Sequence, residues 1–215
     1  MVKETGLRER KKAQTRRHIA DTAARLFAEH GYDQVSIVDV ARAAEVSDQT
    51  VYNYFPAKQD LAFDLAEEIR DLYAKTVLER PDGTSPAVAL RPLALEHIER
   101  HRGADLGLAR GALPALCVSS PTIRRLTLEA YDQHAEVIAA AITETCPDVH
   151  PAIARAHAAA LVSVFQLLFE RIGHSVVDGT SPAAVADELT PAVEAVFDDL
   201  DRHFRSFHAP AAEAT

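Results

Sequence analysis

The sequence is poor in the residues and segments that mark several classes of protein. It has no tryptophan, one methionine and only two cysteines, Cys117 and Cys146, among 215 residues. Two cysteines are too few for a disulfide framework, which favours a reducing, cytoplasmic setting. The longest apolar stretch, residues 156–169, contains a histidine and a glutamine and is too short to span a bilayer. The basic first twenty residues are followed by no apolar segment of a secretory signal, so we expect no contact with a membrane.

Motifs of catalysis and of metal binding are also missing. The sequence contains no HExxH or CxxC motif, no glycine-rich phosphate loop and no nucleophile elbow. His97 and His101 are one helical turn apart, and His134 follows, but no carboxylate cluster with ligand spacing accompanies them. We therefore expect no enzyme, no cofactor and no metal site, and we interpret these histidines as polar groups of a surface or a pocket.

What the sequence has in abundance is helix-forming residues. Hydrophobic residues make up 47% and charged residues 26%, a globular balance, and no segment alternates in the manner of a strand. Prolines and glycines divide the chain into about nine predicted helices, at 15–30, 37–44, 48–55, 57–78, 86–102, 103–116, 121–146, 151–173 and 182–207. We expect the helix at 86–102 to be kinked or restarted at Pro92. The predicted fold class is all-α.

The charge is distributed unevenly along the chain. The net charge is −9, yet residues 1–20 hold seven basic residues against two acidic ones. Residues 1–60 are nearly neutral, and the remainder is strongly acidic. This asymmetry indicates a small N-terminal module that can approach phosphate, attached to an acidic body that cannot. A solubilising basic tail is the alternative reading of the charge alone.

The second and third predicted helices have the dimensions of a helix-turn-helix. Ser36 is a good N-cap, with Asp39 in the capping-box position, and residues 45–47 leave room only for a tight turn. The predicted exposed residues of the third helix are mostly neutral hydrogen-bonding groups, namely Asp48, Gln49, Thr50, Tyr52 and Asn53. Such groups suit base edges and phosphates better than they suit a generic solvated face.

The segments 31–41, 46–47 and 50–61 closely resemble the signature of the TetR family of bacterial transcriptional regulators. The resemblance implies a helix-turn-helix DNA-binding domain at 1–58 and a larger helical ligand-binding and dimerisation domain at 59–215. It implies a repressor that leaves a palindromic operator when a small molecule binds. A DNA-binding activator or architectural factor without a ligand is the alternative. One departure is Glu45, at a turn position often filled by glycine, where left-handed backbone carries about 1 kcal/mol of strain.

Ten residues are candidates for contact with double-stranded operator DNA: Ser36, Ser47, Gln49, Thr50, Tyr52, Asn53, Tyr54, Lys58, Arg16 and Arg17. The resemblance assigns Thr50, Tyr52 and Tyr54, although the ring of Tyr54 can equally belong to the interface with the first helix. Gln49 and Asn53 have the chemistry to read adenine edges. Lys58 is predicted in the first turn of the helix at 57–78, where an anion is favoured. Arg16, Arg17 and residues 10–12 are expected to act from a flexible arm.

The last two long helices carry apolar stripes that predict a homodimer. The stripes are Ile153, His157, Leu161, Val164, Phe165, Leu168 and Ile172 on one helix, and Val185, Leu189, Val193, Val196, Phe197, Leu200 and Phe204 on the other. We expect these helices to pair with their symmetry mates as a four-helix interface. The alternative is that the apolar surplus packs against preceding helices of the same chain.

The body is also predicted to hold a cavity for an apolar or aromatic, weakly polar small-molecule effector, between the helices at 57–78 and 151–173. The candidate lining is Phe63, Leu72, His97, His101, Leu106, Leu113, Leu116, Tyr131, His134 and Phe169. Plain core is the alternative for each of these residues. Glycines at 103, 107 and 111 weaken the intervening segment, which we expect to rearrange when a ligand binds.

Overall fold

The computed structural model describes the backbone of residues 2–206 and the side chains of residues 6 and 8–205. Within that range the chain forms ten α-helices and no strand, which confirms the all-α prediction. The helices are α1 (Val2–His30), α2 (Ile37–Ala43), α3 (Asp48–Tyr54), α4 (Ala66–Leu78), α5 (Pro86–Arg102), α6 (Leu106–Ala109), α7 (Leu113–Ser119), α8 (Pro121–Thr145), α9 (Pro151–Asp178) and α10 (Pro182–Ser206). Residue 207, the predicted end of the last helix, lies outside the described residues.

The first three helices enclose a small apolar core, which we call the head core. It includes Ile19, Ala23, Phe27, Val40, Ala41, Val51 and Phe55, all of them almost fully buried. Three residues from far along the chain, Leu116, Cys117 and Ile123, pack into the same core. The N-terminal helices are therefore anchored to the α7–α8 region through shared apolar contacts.

The second core lies among α4, α5, α8, α9 and α10, and we call it the body core. α9 runs through its centre and packs against α5, α7, α8 and α10, while α10 lies along α5. By length and composition α9 could cross a membrane, and among the described residues it is the one helix that meets this test. Its contacts with four neighbouring helices instead account for its apolar character, because a central core helix has the same composition.

Three helix boundaries differ from the prediction. α1 begins at Val2 rather than at residue 15, so the basic residues 10–12 are helical and not a flexible arm. α5 passes through Pro92 without interruption. α9 continues through Gly173 and ends at Gly179, whose φ of 72° is left-handed. At Gly173 a Cβ atom would lie 2.2 Å from the carbonyl oxygen of Pro114, so this glycine permits close packing of α7 on α9 rather than a helix stop.

The predicted helix at 57–78 is wrong in its first third. Residues Lys58–Leu61 form a short 3-10 helix, a turn follows, and α4 starts only at Ala66. Leu61 is buried in the head core, whereas Ile69 packs against the body core. The break in the helix lies between these two residues, and Leu65 within it is exposed.

The predicted weak helix at 103–116 is two short helices, α6 and α7. The carboxylate of Asp105 caps α6 by accepting hydrogen bonds from the backbone N–H groups of Gly107 (2.8 Å) and Leu108 (3.1 Å). Between the two helices Gly111 lies against α1, where an added Cβ atom would be 1.8 Å from the carbonyl oxygen of Ala24. The backbone of the body thus touches the backbone of the head at this point.

Candidate nucleic-acid interface and internal cavity

The local signals that predicted the helix-turn-helix are present in the structure. The hydroxyl oxygen of Ser36 accepts a hydrogen bond from the backbone N–H of Asp39 (3.2 Å), and the carboxylate of Asp39 accepts one from the backbone N–H of Ser36 (2.9 Å). The Ser36 hydroxyl also donates to this carboxylate (2.5 Å), and this bond together with the one from the Ser36 backbone N–H holds the pKa of Asp39 below its usual range. In the turn Glu45 is left-handed, with a φ of 55°, which confirms the expected departure from glycine. The N–H of Val46 donates to the carbonyl oxygen of Ala41 (3.0 Å) and closes the turn.

α3 presents a polar face to solvent. Gln49, Tyr52 and Asn53 are exposed, with 48% of Tyr52 accessible. The amide nitrogen of Gln49 donates to the amide oxygen of Asn53 (3.1 Å), so the two side chains lie side by side along one stripe. Ser47 caps the helix by accepting from the N–H of Thr50 (3.1 Å), and the two hydroxyl oxygens lie 2.8 Å apart. The structure therefore places the predicted DNA contacts Gln49, Thr50, Tyr52 and Asn53 on α3, with Ser47 at its N-cap.

Lys58 does not lie at the N-terminus of α4, as predicted, but begins the 3-10 helix before it. Its ammonium nitrogen is 4.1 Å from the centre of the Tyr32 ring, a cation–π contact. Burial lowers the pKa of Lys58. Lys58, Tyr52 and Ser36 line one open depression beside the N-terminus of α2. A cation, two hydroxyl groups and a helix N-terminus thus meet on the same surface as α3.

Arg16 is an internal link rather than part of an arm. Its guanidinium contacts the carboxylate of Asp64 at 2.6 Å and donates to the carbonyl oxygen of Tyr54 at 2.9 Å. It also lies 4.6 Å from the centre of the Phe55 ring. These contacts correct the prediction for Arg16, because they tie α1 to the end of α3 and to the segment before α4. Arg17 is exposed on α1.

The half-buried Tyr54 packs against the head core. This location matches the alternative that its ring belongs to the interface with the first helix.

A cavity of about 450 Å³ lies between the head and the body. Its walls come from α1, the turn before α4, α4 itself, α5, the α6–α7 region, α8 and α9. Seven of the predicted residues line it, namely Phe63, His97, His101, Leu113, Tyr131, His134 and Phe169. Residues that the prediction missed include Ala20 and Ala24 of α1 as well as Tyr73 and Phe165. The two alanines have no chemical signature in the sequence, whereas Phe165 stood in a predicted apolar stripe.

Three of the residues predicted to line the cavity lie in other parts of the fold. Leu72 is 45% exposed on the outer side of α4. Leu106 packs against the body core from α6, and Leu116 is buried in the head core. None of the three is among the residues that line this cavity.

Aromatic rings and neutral histidines dominate the cavity wall. The ring of His97 stacks on that of Phe169, with centres 4.6 Å apart and planes at 26°. The ring of Tyr73 lies 4.8 Å from that of Phe165 and meets His134 edge-on at 5.2 Å. Burial lowers the pKa of His97 and of His134 to about 4, with smaller contributions from nearby positive charges, so both rings are neutral at neutral pH. Burial also raises the pKa of the Tyr73 hydroxyl.

His101 differs from the other two histidines because it has a polar partner, the hydroxyl group of Ser175 at 3.2 Å. Among the residues that the structure describes, no three metal-ligating side chains converge.

Most residues of the apolar stripes that predicted dimerisation face the inside of the chain, although Val196 of α10 is 40% exposed. Of the predicted residues, Leu161, Phe165 and Leu168 on α9, and Val185 and Phe197 on α10, are buried in the body core. A different stripe of α9 is exposed and consists of small and apolar residues with one histidine, namely Ala152, Ala156, Ala159, Ser163, Leu167, His174 and Val177. Leu167 is 62% exposed, an unusual degree for a leucine on a long apolar helix. The prediction thus named the core face of α9, while the opposite face is open.

Comparisons with known proteins follow this geometry. Residues 19–65, which run from within α1 to the residue before α4, match the model of the family described as "Bacterial regulatory proteins, tetR family". The chain is 30% identical over 108 residues to the HTH-type transcriptional regulator TcmR of Streptomyces glaucescens, covering 50% of this chain and 48% of TcmR. It is 40% identical over 85 residues to the HTH-type transcriptional repressor LfrR of Mycolicibacterium smegmatis, covering 40% of this chain and 41% of LfrR. The chain thus spans about half the length or less of these relatives.

A solved structure extends the likeness to the whole fold. NalD of Pseudomonas aeruginosa, described as the secondary repressor of the MexAB-OprM multidrug efflux pump, superposes with a TM-score of 0.56. The superposition covers 86% of this chain and 97% of NalD at 21% sequence identity, which demonstrates the shared fold alone. The helix-turn-helix that α2 and α3 form is the motif of the helix-turn-helix class of DNA-binding proteins. The N-terminal part of the chain, residues 19–65, is thus similar in sequence to the TetR family of bacterial transcriptional regulators.

Proposed function

We propose that this protein is a cytoplasmic, homodimeric repressor that binds a palindromic operator and is released by a small apolar or aromatic molecule. The single observation that supports this most is the position of the cavity, whose wall includes α1 of the head. A molecule in the cavity therefore contacts the DNA-binding part directly. A ligand that prefers the conformation unable to bind DNA shifts the population toward it.

The polar face of α3 is the proposed reading surface. Gln49 and Asn53 contact base edges in the major groove, and Ser47, Thr50 and Tyr52 contact the backbone of the DNA. Lys58 and Ser36 extend the surface toward phosphate beside α2. In a dimer the two α3 helices enter successive major grooves, about 34–36 Å apart.

The exposed stripe of α9 is the proposed dimer interface. Its small residues, such as Ala156, Ala159 and Ser163, permit close approach of a second α9, and Leu167 supplies apolar area at the contact. Two-fold symmetry places the same stripe on both partners, so one self-complementary face is sufficient. This assignment replaces the core-facing stripes named from the sequence.

Two contacts carry the proposed signal from cavity to head. Asp64 lines the cavity and binds Arg16, which in turn binds the end of α3 through the carbonyl oxygen of Tyr54. Gly111 also lines the cavity and lies against the backbone of Ala24. A ligand that displaces either wall moves the head without acting through α4 alone.

Operator selection from a random duplex library tests the proposal. The selected sites should be two-fold symmetric, and a base-substitution scan with Gln49→Ala should change the preference at one base pair per half-site, by about 1–3 kcal/mol. Gln133→Ala, which changes an exposed glutamine of α8, is the matched control and should leave the scan unchanged. Asymmetric sites, or an identical ranking of bases for wild type and Gln49→Ala, would refute the assignment.

A further inference from the structure

The cavity wall offers hydrogen-bond donors, and its charged side chains are either paired or exposed to solvent. Among the described residues that line it, Asp64 is paired with Arg16 at 2.6 Å, and Arg100 donates to Glu96 at 2.9 Å. Asp21 is exposed on α1. An ion in the buried part of the cavity would lose its water, while the carboxylate of Asp21 stays in contact with solvent. The chemistry of the wall therefore favours an uncharged ligand.

The Nδ1 atom of His134 is the fully buried polar atom of this wall that lacks a partner among the described residues. The residue is only 9% exposed, and its Nδ1 atom is buried without a hydrogen-bond partner in the described part of the chain. Its Nε2 atom is not among the fully buried, unpartnered atoms, and the ring lines the cavity. Nε2 is thus the nitrogen through which the ring opens to the cavity.

The position of the ring proton follows from this arrangement. A neutral imidazole carries one N–H group, and a buried N–H without a partner is rarer in folded proteins than an unpaired acceptor. The proton therefore resides on Nε2, which becomes a donor toward the cavity. Tyr131 adds a hydroxyl group to the same wall, and burial raises its pKa, so it too keeps its proton.

We propose that the cavity binds an uncharged aromatic ketone or quinone, whose carbonyl oxygen accepts a hydrogen bond from Nε2–H of His134. The ring pairs of His97 with Phe169 and of Tyr73 with Phe165 supply flat apolar walls on which such a molecule stacks. The volume of about 450 Å³ is within the usual range of small-molecule sites. This inference rests on the proposed function, because it treats the cavity as the effector site.

Displacement of the neutral dye Nile red from the full-length protein tests the inference. The competitors are 9-fluorenone and fluorene, which share one ring system and differ in the carbonyl group. In His134→Phe the affinity ratio of fluorenone to fluorene should fall about tenfold relative to wild type, because a buried carbonyl loses its donor. In His134→Gln, whose amide N–H keeps a donor near the position of Nε2, the ratio should stay within about twofold of the wild-type value. 9-Fluorenone-2-carboxylate should compete far more weakly than fluorenone.

Three results would overturn the inference: an unchanged ratio in His134→Phe, equal competition by the carboxylate, or no binding of Nile red to wild type. If His134→Phe does not fold, the infrared C=O stretch of fluorenone bound to wild type decides. It should lie at lower wavenumber than in an apolar solvent, and the absence of that shift would refute the hydrogen bond.

Operator binding, measured without any of these compounds, separates this inference from the proposed function. A protein that binds its operator but shows no preference for the carbonyl refutes only the ligand chemistry. A protein that prefers the carbonyl but binds no operator refutes only the regulatory role.

Discussion

The half-buried His97 makes a specific prediction about stability and pH. Burial, followed by the charges of Arg100 and His101, lowers the pKa of His97 from 6.5 to about 4. Across this interval the unfolded chain binds a proton on His97 that the folded chain does not bind. The free energy of unfolding must therefore fall as the pH falls from about 6.5 to about 4.

The size of the effect follows from the two pKa values. Between about pH 7.5 and about pH 5, this single side chain should remove about 2 kcal/mol of stability. That amount is a considerable fraction of the stability of a typical domain. The carboxylates whose pKa is lowered, such as Asp39 and Glu188, titrate below this window. His134, whose pKa is also lowered to about 4, contributes a similar loss that is the same in wild type and in a variant of His97.

Urea unfolding followed by circular dichroism at several pH values measures the effect, since the chain has no tryptophan for fluorescence. His97→Gln cannot bind the proton, so its loss of stability between the two pH values should be about 2 kcal/mol smaller than that of wild type. His30→Gln, which changes an exposed histidine outside the proposed interface, is the matched control and should behave as wild type. A pH dependence of His97→Gln equal to that of wild type would refute the argument from burial.

Three further substitutions test other parts of the structure. Lys58→Ala should weaken DNA binding almost equally for all sequences and lower the salt slope by about one, as fluorescence anisotropy at several salt concentrations would reveal; an unchanged slope contradicts phosphate contact. Leu167→Glu should give a folded monomer in sedimentation, because it places a charge in the proposed α9 interface, and a dimer of this variant excludes that interface. Gly111→Ala should lower stability by about 1–3 kcal/mol, since its Cβ atom would lie 1.8 Å from the carbonyl oxygen of Ala24. Gly103→Ala, whose Cβ atom meets nothing within 4 Å, is the control, and equal effects of the two changes would refute the close contact.

The features that could be predicted from the sequence are those that depend on neighbouring residues. The capping box of Ser36 and Asp39, the turn at Glu45 and the exposed polar face of α3 all involve residues a few positions apart. Capping and turn chemistry act at that range, so the sequence contains their full signal. For the same reason the all-α class and most helix positions were predictable.

Features that depend on distant partners could not be predicted in this way. Arg16 is a plain basic residue in the sequence, and only the fold brings Asp64 to it from 48 positions away. Helical periodicity identified α9 as apolar, but it could not tell the face that packs inside from the face around Leu167 that is open. The break before α4 likewise separates Leu61 from Ile69, and their membership in different cores is a property of the assembled fold.

The contact between Gly111 and α1 has a consequence for engineering hybrid regulators. A hybrid with a new DNA specificity could be made by fusing the DNA-binding domain of one protein to the C-terminal domain of another near residue 58. In this chain, however, Leu116 and Ile123 complete the core of the head, and Gly111 fits against a backbone carbonyl that no side-chain change on α1 can move. A grafted head would meet a surface shaped for a different helix. A hybrid that also takes residues 106–123 from the protein that supplies the DNA-binding domain should therefore keep its fold and its response to ligand. A hybrid joined only near residue 58 should not fold correctly.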